Sequence, residues 1–324
     1  MNEKMKHVFI LNPAAGKGEM QSDLHEQIAR TCTERGVDFE IHTTSAQGEA
    51  TEFVRTLCKQ NPDTYLRFYA CGGDGTISET VNGAHGFANA SVGVVPVGTG
   101  NDFVRNFQGK EAFLDVAAQL DGEVVSLDLM QYNDKLCTNM INIGFDCEVV
   151  KQVAKIKRSR LVPKHMAYIV GLVITLIRKP GVRAKVSLDG GEPEQRHMLL
   201  TAVANGAWCG GGFHSTPLAL LQDGVLDTLL IKNVSRTRFL TLVSLYKNGT
   251  FVGHPRARGI IEYVKCHTVQ YFFEAPQSIC VDGEVAEVKE LCVSCVRNAL
   301  SLVVPKGAAY QPERDALPTG TYSC

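Results

Sequence analysis

The sequence predicts a two-domain chain, an α/β nucleotide-binding domain followed by an antiparallel β-sandwich. Three observations carry that expectation. Residues 7–120 alternate short apolar runs with segments of helical period, which implies a mostly parallel sheet with helices on both faces. Three of those runs end in turns rich in Gly, Asn or Thr. From about residue 124 short alternating segments separated by turn residues take over, as in an antiparallel sandwich. At 324 residues the chain has room for two domains of roughly 150 residues each. The boundaries are expected at 1–123, 124–300 and 301–324, the last segment returning to the first domain.

The run His7–Leu11 reads as a strand covered on both faces. It leads into Asn12-Pro13-Ala14-Ala15-Gly16-Lys17-Gly18, after which Leu24, Ile28 and Cys32 mark one helical face. The Gly-Lys pair is not a Walker motif. Leu11 stands where the earlier Gly should be, and Gly18 replaces the Ser or Thr. Phe39–Thr44 is an alternating strand, and Gly48–Lys59 is helical. Tyr65–Ala70 is a further buried strand, ending in Cys71-Gly72-Gly73-Asp74-Gly75-Thr76-Ile77-Ser78-Glu79. Three glycines around one carboxylate let backbone approach a ligand closely. At a helix start the N–H groups and the dipole favour a phosphate, which leaves Asp74 to face a metal ion or a reacting hydroxyl. A plain turn needs no Asp bracketed by Gly and followed by Thr. Ser91–Pro96 is the next strand, and it runs into Pro96-Val-Gly-Thr-Gly-Asn-Asp-Phe103. Thr44, Asp74, Thr99, Asn101 and Asp102 are thereby expected at one sheet edge, where open α/β sheets collect ligands.

In the second half strands are expected at 125–129, 135–143, 184–188, 197–205, 225–231, 266–273, 278–281 and 291–296, with helices at 160–178 and 235–250. Gly210-Gly211-Gly212 reads as a surface loop or a substrate passage. Lys151, Lys155, Lys157, Arg158, Arg160 and Lys164 form a solvated basic face or a patch for anionic headgroups. Asp282-Gly283-Glu284 follows an apolar strand and fits a hairpin turn as well as a catalytic base.

The composition narrows the function classes. A hydrophobic fraction of 44% and a charged fraction of 21% suit a globular protein with a full core. A net charge of −1 supplies no global field toward nucleic acid, so none is expected as partner. Met1–His7 leads into an apolar run too short for a signal peptide, and the apolar stretch 167–177 is well below a membrane span. Eleven scattered cysteines suggest reduced thiols and a cytoplasmic protein. Cys292 and Cys295, a lone CxxC in an alternating strand, read as buried strand cysteines on opposite faces.

Gly72–Thr76 alone occurs in three kinds of phosphotransferase. Together with Asn12-Pro13 upstream, Pro96-x-Gly-Thr-x-Asn-Asp-Phe103 and Asp282-Gly-Glu284 downstream, the chain resembles the soluble diacylglycerol kinase family, which includes sphingosine and ceramide kinases. The resemblance spans about residues 5–305. A Thr-Pro-Thr-Gly-Ser-Thr signature of NAD kinases is absent, and so is the N-terminal nucleotide loop of phosphofructokinases. Gly100 and Ser78 replace the family's more usual Ala and Asn.

The resemblance implies an ATP site of Asn12, Thr44, Gly72, Gly73, Asp74, Gly75, Thr76, Ile77, Ser78 and Thr99, with Asp74 acting through Mg²⁺. It implies a general base from Asp282 or Glu284, and a structural Mg²⁺ on the Asp223 carboxylate and the Leu220 and Val225 carbonyls. The reaction implied is phosphorylation of a diacylglycerol-like hydroxyl to a phosphatidic-acid-like product. A lipid partner is met transiently at the inner membrane face through the basic stretch 151–164, and a homodimer is allowed. The alternatives are a kinase for a soluble acceptor such as NAD and a non-catalytic lipid-binding regulator.

Overall fold

The computed structural model describes residues 4–16, 18–158, 170–171, 174–175, 178, 181–310 and 319–323. The chain divides into two compact units. Unit 1 holds Met1–Leu129, Gly210–Gly212 and Val296–Asp315, and unit 2 holds Met130–Cys209, Phe213–Cys295 and Ala316–Cys324.

Unit 1 runs β1 (Lys4–Leu11), α1 (Gly18–Arg35), β2 (Phe39–Thr43), α2 (Glu49–Gln60), β3 (Thr64–Gly72), α3 (Asp74–Ala84), β4 (Ala90–Pro96), two 3-10 turns (Phe103–Asn106 and Lys110–Leu114), α4 (Val116–Leu120) and the start of β5 (Glu123–Tyr132). β1 pairs parallel with β2 and β3, and β3 with β4. The registers Leu11↔Thr43, Leu11↔Cys71 and Gly72↔Pro96 end three strand pairs level with one another. Residues 12, 44, 73 and 97 therefore leave the sheet along one edge.

Alternate residues of the central strands are buried on both faces. Phe9, Leu11, Tyr69, Cys71 and Val95 form one core with Leu24, Ile28 and Cys32 of α1, while Val8, Ile10, Phe68 and Val94 are buried on the other side. A strand covered on both faces must be apolar throughout, which is why these runs lack alternation. The chain returns late to this sheet. The end of β13 (Glu284–Val304) pairs parallel with β4 at Leu302↔Val92.

Unit 2 is an antiparallel ladder of β6 (Lys135–Cys137), β7 (Met140–Gly144), β8 (Val182–Leu188), β9 (Glu194–Ala204), β10 (Leu226–Lys232), β11 (Ile261–Cys266), β12 (Thr268–Val281), the first part of β13 and β14 (Gly320–Ser323), with helices α5 (Phe145–Arg158) and α6 (Arg236–Asn248). β7 and β8 each pair with both β9 and β12, so the sheet folds around a core that includes Ile141, Val186, Tyr271 and Val293. A second core, with Phe145, Leu229, Tyr246, Phe251 and Tyr263, lies on the opposite side of β9–β11 and takes in both helices.

Several local expectations change. The strand expected at 135–143 is two strands, because the Thr138 and Asn139 N–H groups bond a side chain rather than the ladder. The strand expected at 266–273 is likewise broken at His267, whose N–H is held at 2.7 Å by Asp189. β11 was not among the expected strands, since a buried Lys265 interrupts its apolar pattern. The expectation that 301–324 returns to the first domain fails at its end, where Gly320–Ser323 extends unit 2 by pairing with β11. The helix expected at 160–178 lies mostly outside the described residues. Cys292 is exposed and Cys295 half-buried rather than both buried, and the described cysteines are free thiols.

Among the titratable groups buried in unit 1, one sets a pH dependence in the mildly acidic range. His7 is buried beside Tyr69, its Nδ1 2.9 Å from the Tyr69 hydroxyl. Burial, reinforced by Arg67, lowers its pKa from 6.5 to about 4. Between these values the unfolded chain binds the proton and the folded chain does not, so stability falls as pH drops from 6.5 toward 4, by up to about 3 kcal/mol. His7→Phe should flatten this part of the stability–pH curve, as measured by urea unfolding at pH 7.5 and 4.5. Parallel curves for variant and wild type would refute the assignment.

Candidate active site

The phosphate-type turn of unit 1 is built by two glycine-rich segments pressed together. β3 ends at Gly72, and α3 starts at Asp74 with Gly73 as its cap residue. The second segment leaves β4 at Pro96, and the Gly98 N–H donates to the Gly72 carbonyl at 3.1 Å. A Cβ on Gly98 would lie 2.5 Å from the Gly73 Cα and 3.0 Å from its nitrogen. Backbone cannot yield to such a contact, so only glycine serves at 98. A Cβ on Gly72 would collide with the Thr76 side chain.

Asp74 then fastens the two segments. Its carboxylate accepts the N–H groups of Asp102 at 3.1 Å and Phe103 at 3.3 Å. At position 100 the departure from the family's usual Ala has a local correlate, since a Cβ there would meet Asp74 Oδ2 at 3.0 Å.

The surrounding residues are tied to the same edge. Asn12 donates from Nδ2 to Thr76 Oγ1 at 3.0 Å and accepts the Ala14 N–H on its Oδ1. Thr44 is buried, with its N–H on the Leu11 carbonyl at 2.9 Å and its hydroxyl on the same oxygen. Thr76 and Ile77 are buried, Ser78 is half-buried and Thr99 is exposed. With its side chain in the core, Ile77 has only backbone to offer a ligand. The unit thus gathers Asn12, Thr44, Gly72–Ser78 and Thr99 along one sheet edge.

Sequence reasoning placed Asp102 at this edge without a partner for it and did not single out Arg105. Asp102 is 7% exposed and accepts the Gly211 N–H at 2.9 Å, with Arg105 Nε at 3.3 Å from its other oxygen. Burial raises its pKa, opposed by the Gly211 N–H and Arg105. The glycine triplet 210–212, read from sequence as a loop or passage, therefore supplies a backbone donor to this cluster. The signal was the Asn-Asp-Phe run, but its partner lies over a hundred residues away.

Unit 2 separates the two carboxylates of the Asp-Gly-Glu motif. Asp282 and Gly283 have φ of 45° and 93°, and Val281 pairs with Glu284. This is a two-residue hairpin loop, for which Asp-Gly is a favoured sequence. Within it, Asp282 accepts four hydrogen bonds, from the N–H groups of Thr138 (2.8 Å), Asn139 (3.1 Å) and Met140 (3.0 Å) and the Thr138 hydroxyl (2.9 Å). A carboxylate so saturated has no lone pair directed at an incoming proton. Glu284, two residues on, is exposed at the start of β13.

The expected metal turn has a different partner. Asp223 accepts Lys265 Nζ at 2.9 Å on Oδ2 and the Val225 N–H at 3.3 Å on Oδ1, and Leu220 and Val225 are buried. The Lys265 ammonium thus sits on the Asp223 carboxylate where the expectation had a divalent ion. The basic stretch is modified as well. Lys151 Nζ is bonded to Glu148 at 2.9 Å and Ser278 at 2.8 Å, and Arg160 and Lys164 lie outside the described residues. No helix among the described residues is long and apolar enough to cross a membrane.

The chain matches known proteins over nearly its whole length. Residues 6–132 match the diacylglycerol kinase catalytic domain, and residues 139–304 match the YegS C-terminal NAD kinase beta sandwich-like domain. The chain belongs to this lipid kinase family. It is 26% identical over 308 residues to the diacylglycerol kinase of Bacillus subtilis (strain 168), covering 94% of this chain and 97% of that one. It is 28% identical over 310 residues to a Citrobacter koseri protein named probable lipid kinase YegS-like, covering 92% and 95%. Its fold is similar to that in a crystal structure of a diacylglycerol kinase from Bacillus anthracis str. Sterne, with a TM-score of 0.66, 20% identity, and 93% and 96% coverage.

The hydrogen bonds of Asp282 give a stability prediction. Asp282→Ala strands three backbone donors and should destabilise unit 2 by about 3 kcal/mol. Urea unfolding followed by the fluorescence of Trp208 in unit 2 reads this directly, and an unchanged midpoint would show that these bonds are dispensable.

Proposed function

We propose that this lipid kinase transfers the γ-phosphoryl group of ATP to the hydroxyl of diacylglycerol or a similar lipid, giving phosphatidic acid. The close approach of Gly73 and Gly98 carries the reading. Two backbone turns without side chains, opening at the start of α3, form a surface that phosphate oxygens can approach and that N–H groups can solvate. Asn12, Thr44, Gly72–Ser78 and Thr99 would hold the nucleotide, Ile77 through backbone alone.

Phosphoryl transfer demands alignment of two oxygens and neutralisation of charge. ATP supplies the phosphoryl group, and a Mg²⁺ ion accompanying its phosphates neutralises part of their charge. Asp74 is the residue suited to face that ion, because it starts α3 between the two glycine turns, where its carboxylate is held by the Asp102 and Phe103 N–H groups. Proton removal falls to Glu284, the exposed member of the pair, while Asp282 positions it by fixing the hairpin. General-base action of this kind contributes about 10²–10⁴ in rate.

Contact with the membrane surface is part of the same reading. In the basic stretch 151–164, Lys155 is exposed on α5 at the margin of the buried face formed by Val149, Gln152 and Ile156, whereas Lys151 is held internally. A homodimer is compatible with this reading.

The test is transfer of label from [γ-³²P]ATP with Mg²⁺ to diacylglycerol, ceramide, sphingosine and NAD in mixed micelles. Label on diacylglycerol is expected. Label on NAD alone would replace the acceptor with a soluble one, and no label on any acceptor would favour a lipid-binding regulator. Asp74→Ala should lower transfer at least about 100-fold, with circular dichroism unchanged; near-normal turnover would remove Asp74 from the chemistry.

A further inference from the structure

Beyond the kinase reading, unit 2 holds a charge cluster with its own consequence. Lys265, Asp223 and Asp227 have side chains 0%, 1% and 0% exposed. Asp227 on β10 and Lys265 on β11 are direct cross-strand partners, and Asp223 stands on the turn entering β10. Lys265 Nζ lies 2.9 Å from Asp223 Oδ2 and 3.0 Å from Asp227 Oδ2. The other oxygens are also engaged. Asp223 Oδ1 accepts the Val225 N–H at 3.3 Å, and Asp227 Oδ1 accepts the Tyr263 hydroxyl at 2.6 Å. Tyr263 in turn accepts the Leu218 N–H at 3.1 Å, so the network fixes the connection that runs from β9 into β10.

Two carboxylates converging in a dry interior repel one another, and a cation between them relieves that repulsion. A bound divalent ion would meet that need, and so does an ammonium carried by the chain. We propose that the Lys265 ammonium is the resident cation of the Asp223–Asp227 site, standing where a structural metal ion would otherwise sit, so that unit 2 folds without a divalent metal. The physical distinction is one of mass action. A metal-held turn loosens as the free ion falls below its dissociation constant, whereas a covalently tethered cation is always present. A hard divalent ion also asks for about six oxygens in near-octahedral order, and here the oxygens are already shared among N–H and O–H donors.

Thermal unfolding of the full chain without nucleotide tests this, because it needs no catalytic activity and its outcome is independent of the acceptor. Wild type, stripped with EDTA, should melt at the same temperature with and without millimolar Mg²⁺. Asp223→Asn should melt lower, by an amount that Mg²⁺ does not alter. Lys265→Ser removes the ammonium and leaves two buried carboxylates. It should melt about 10 °C lower, the loss expected on breaking a buried ion pair in a domain of this size, and Mg²⁺ or Ca²⁺ should restore part of that loss. A Mg²⁺-dependent rise in wild type that disappears in Asp223→Asn would overturn the proposal. So would a folded Lys265→Ser whose melting ignores both ions. If Lys265→Ser does not fold, the wild-type and Asp223→Asn pair decides alone.

Discussion

The carboxylate of Asp74 is the contact on which the phosphate side of unit 1 depends. It does not stand apart from the loops as a lone reactive acid. It accepts the N–H groups at 102 and 103 and so joins the turn after β3 to the turn after β4. That join brings Gly73 and Gly98 into backbone contact, and the contact is possible because neither carries a Cβ. Asp102, placed by the same join, collects the Gly211 N–H, so the three glycines at 210–212 belong to unit 1 although the flanking chain belongs to unit 2.

Unit 2 repeats the device in two forms. Asp282 gathers three backbone N–H groups and a hydroxyl, and it breaks the strand pattern at Thr138–Asn139 to do so. Asp223 and Asp227 gather an ammonium. In each case an acid whose lone pairs are filled by fixed donors is a structural anchor. This criterion distinguishes the saturated Asp282 from the exposed Glu284, which share one motif.

What the sequence disclosed follows from where each signal lies. The β1 and β3 strands and the turns after them were legible because burial on both faces demands an unbroken apolar run, and because glycines at a close approach admit few substitutes. Asp282-Gly283 was equally legible as a hairpin, since φ above zero at both positions selects such a pair. The partners were not legible. Gly211 for Asp102, Thr138 for Asp282 and Lys265 for Asp223 lie 109, 144 and 42 residues away. No local pattern encodes such contacts. β11 shows the reverse failure, where a buried lysine satisfied by two acids hides an otherwise apolar strand from a reading by hydrophobic period.

The division between anchor and base is tested most directly by the turnover of Glu284→Gln, measured with the nucleotide dissociation constant and the unfolding midpoint of the same preparation. The account predicts a fall in transfer rate of at least about 100-fold, with nucleotide affinity and unfolding midpoint unchanged. Turnover close to wild type would contradict it, and the proton would then have to leave by another group.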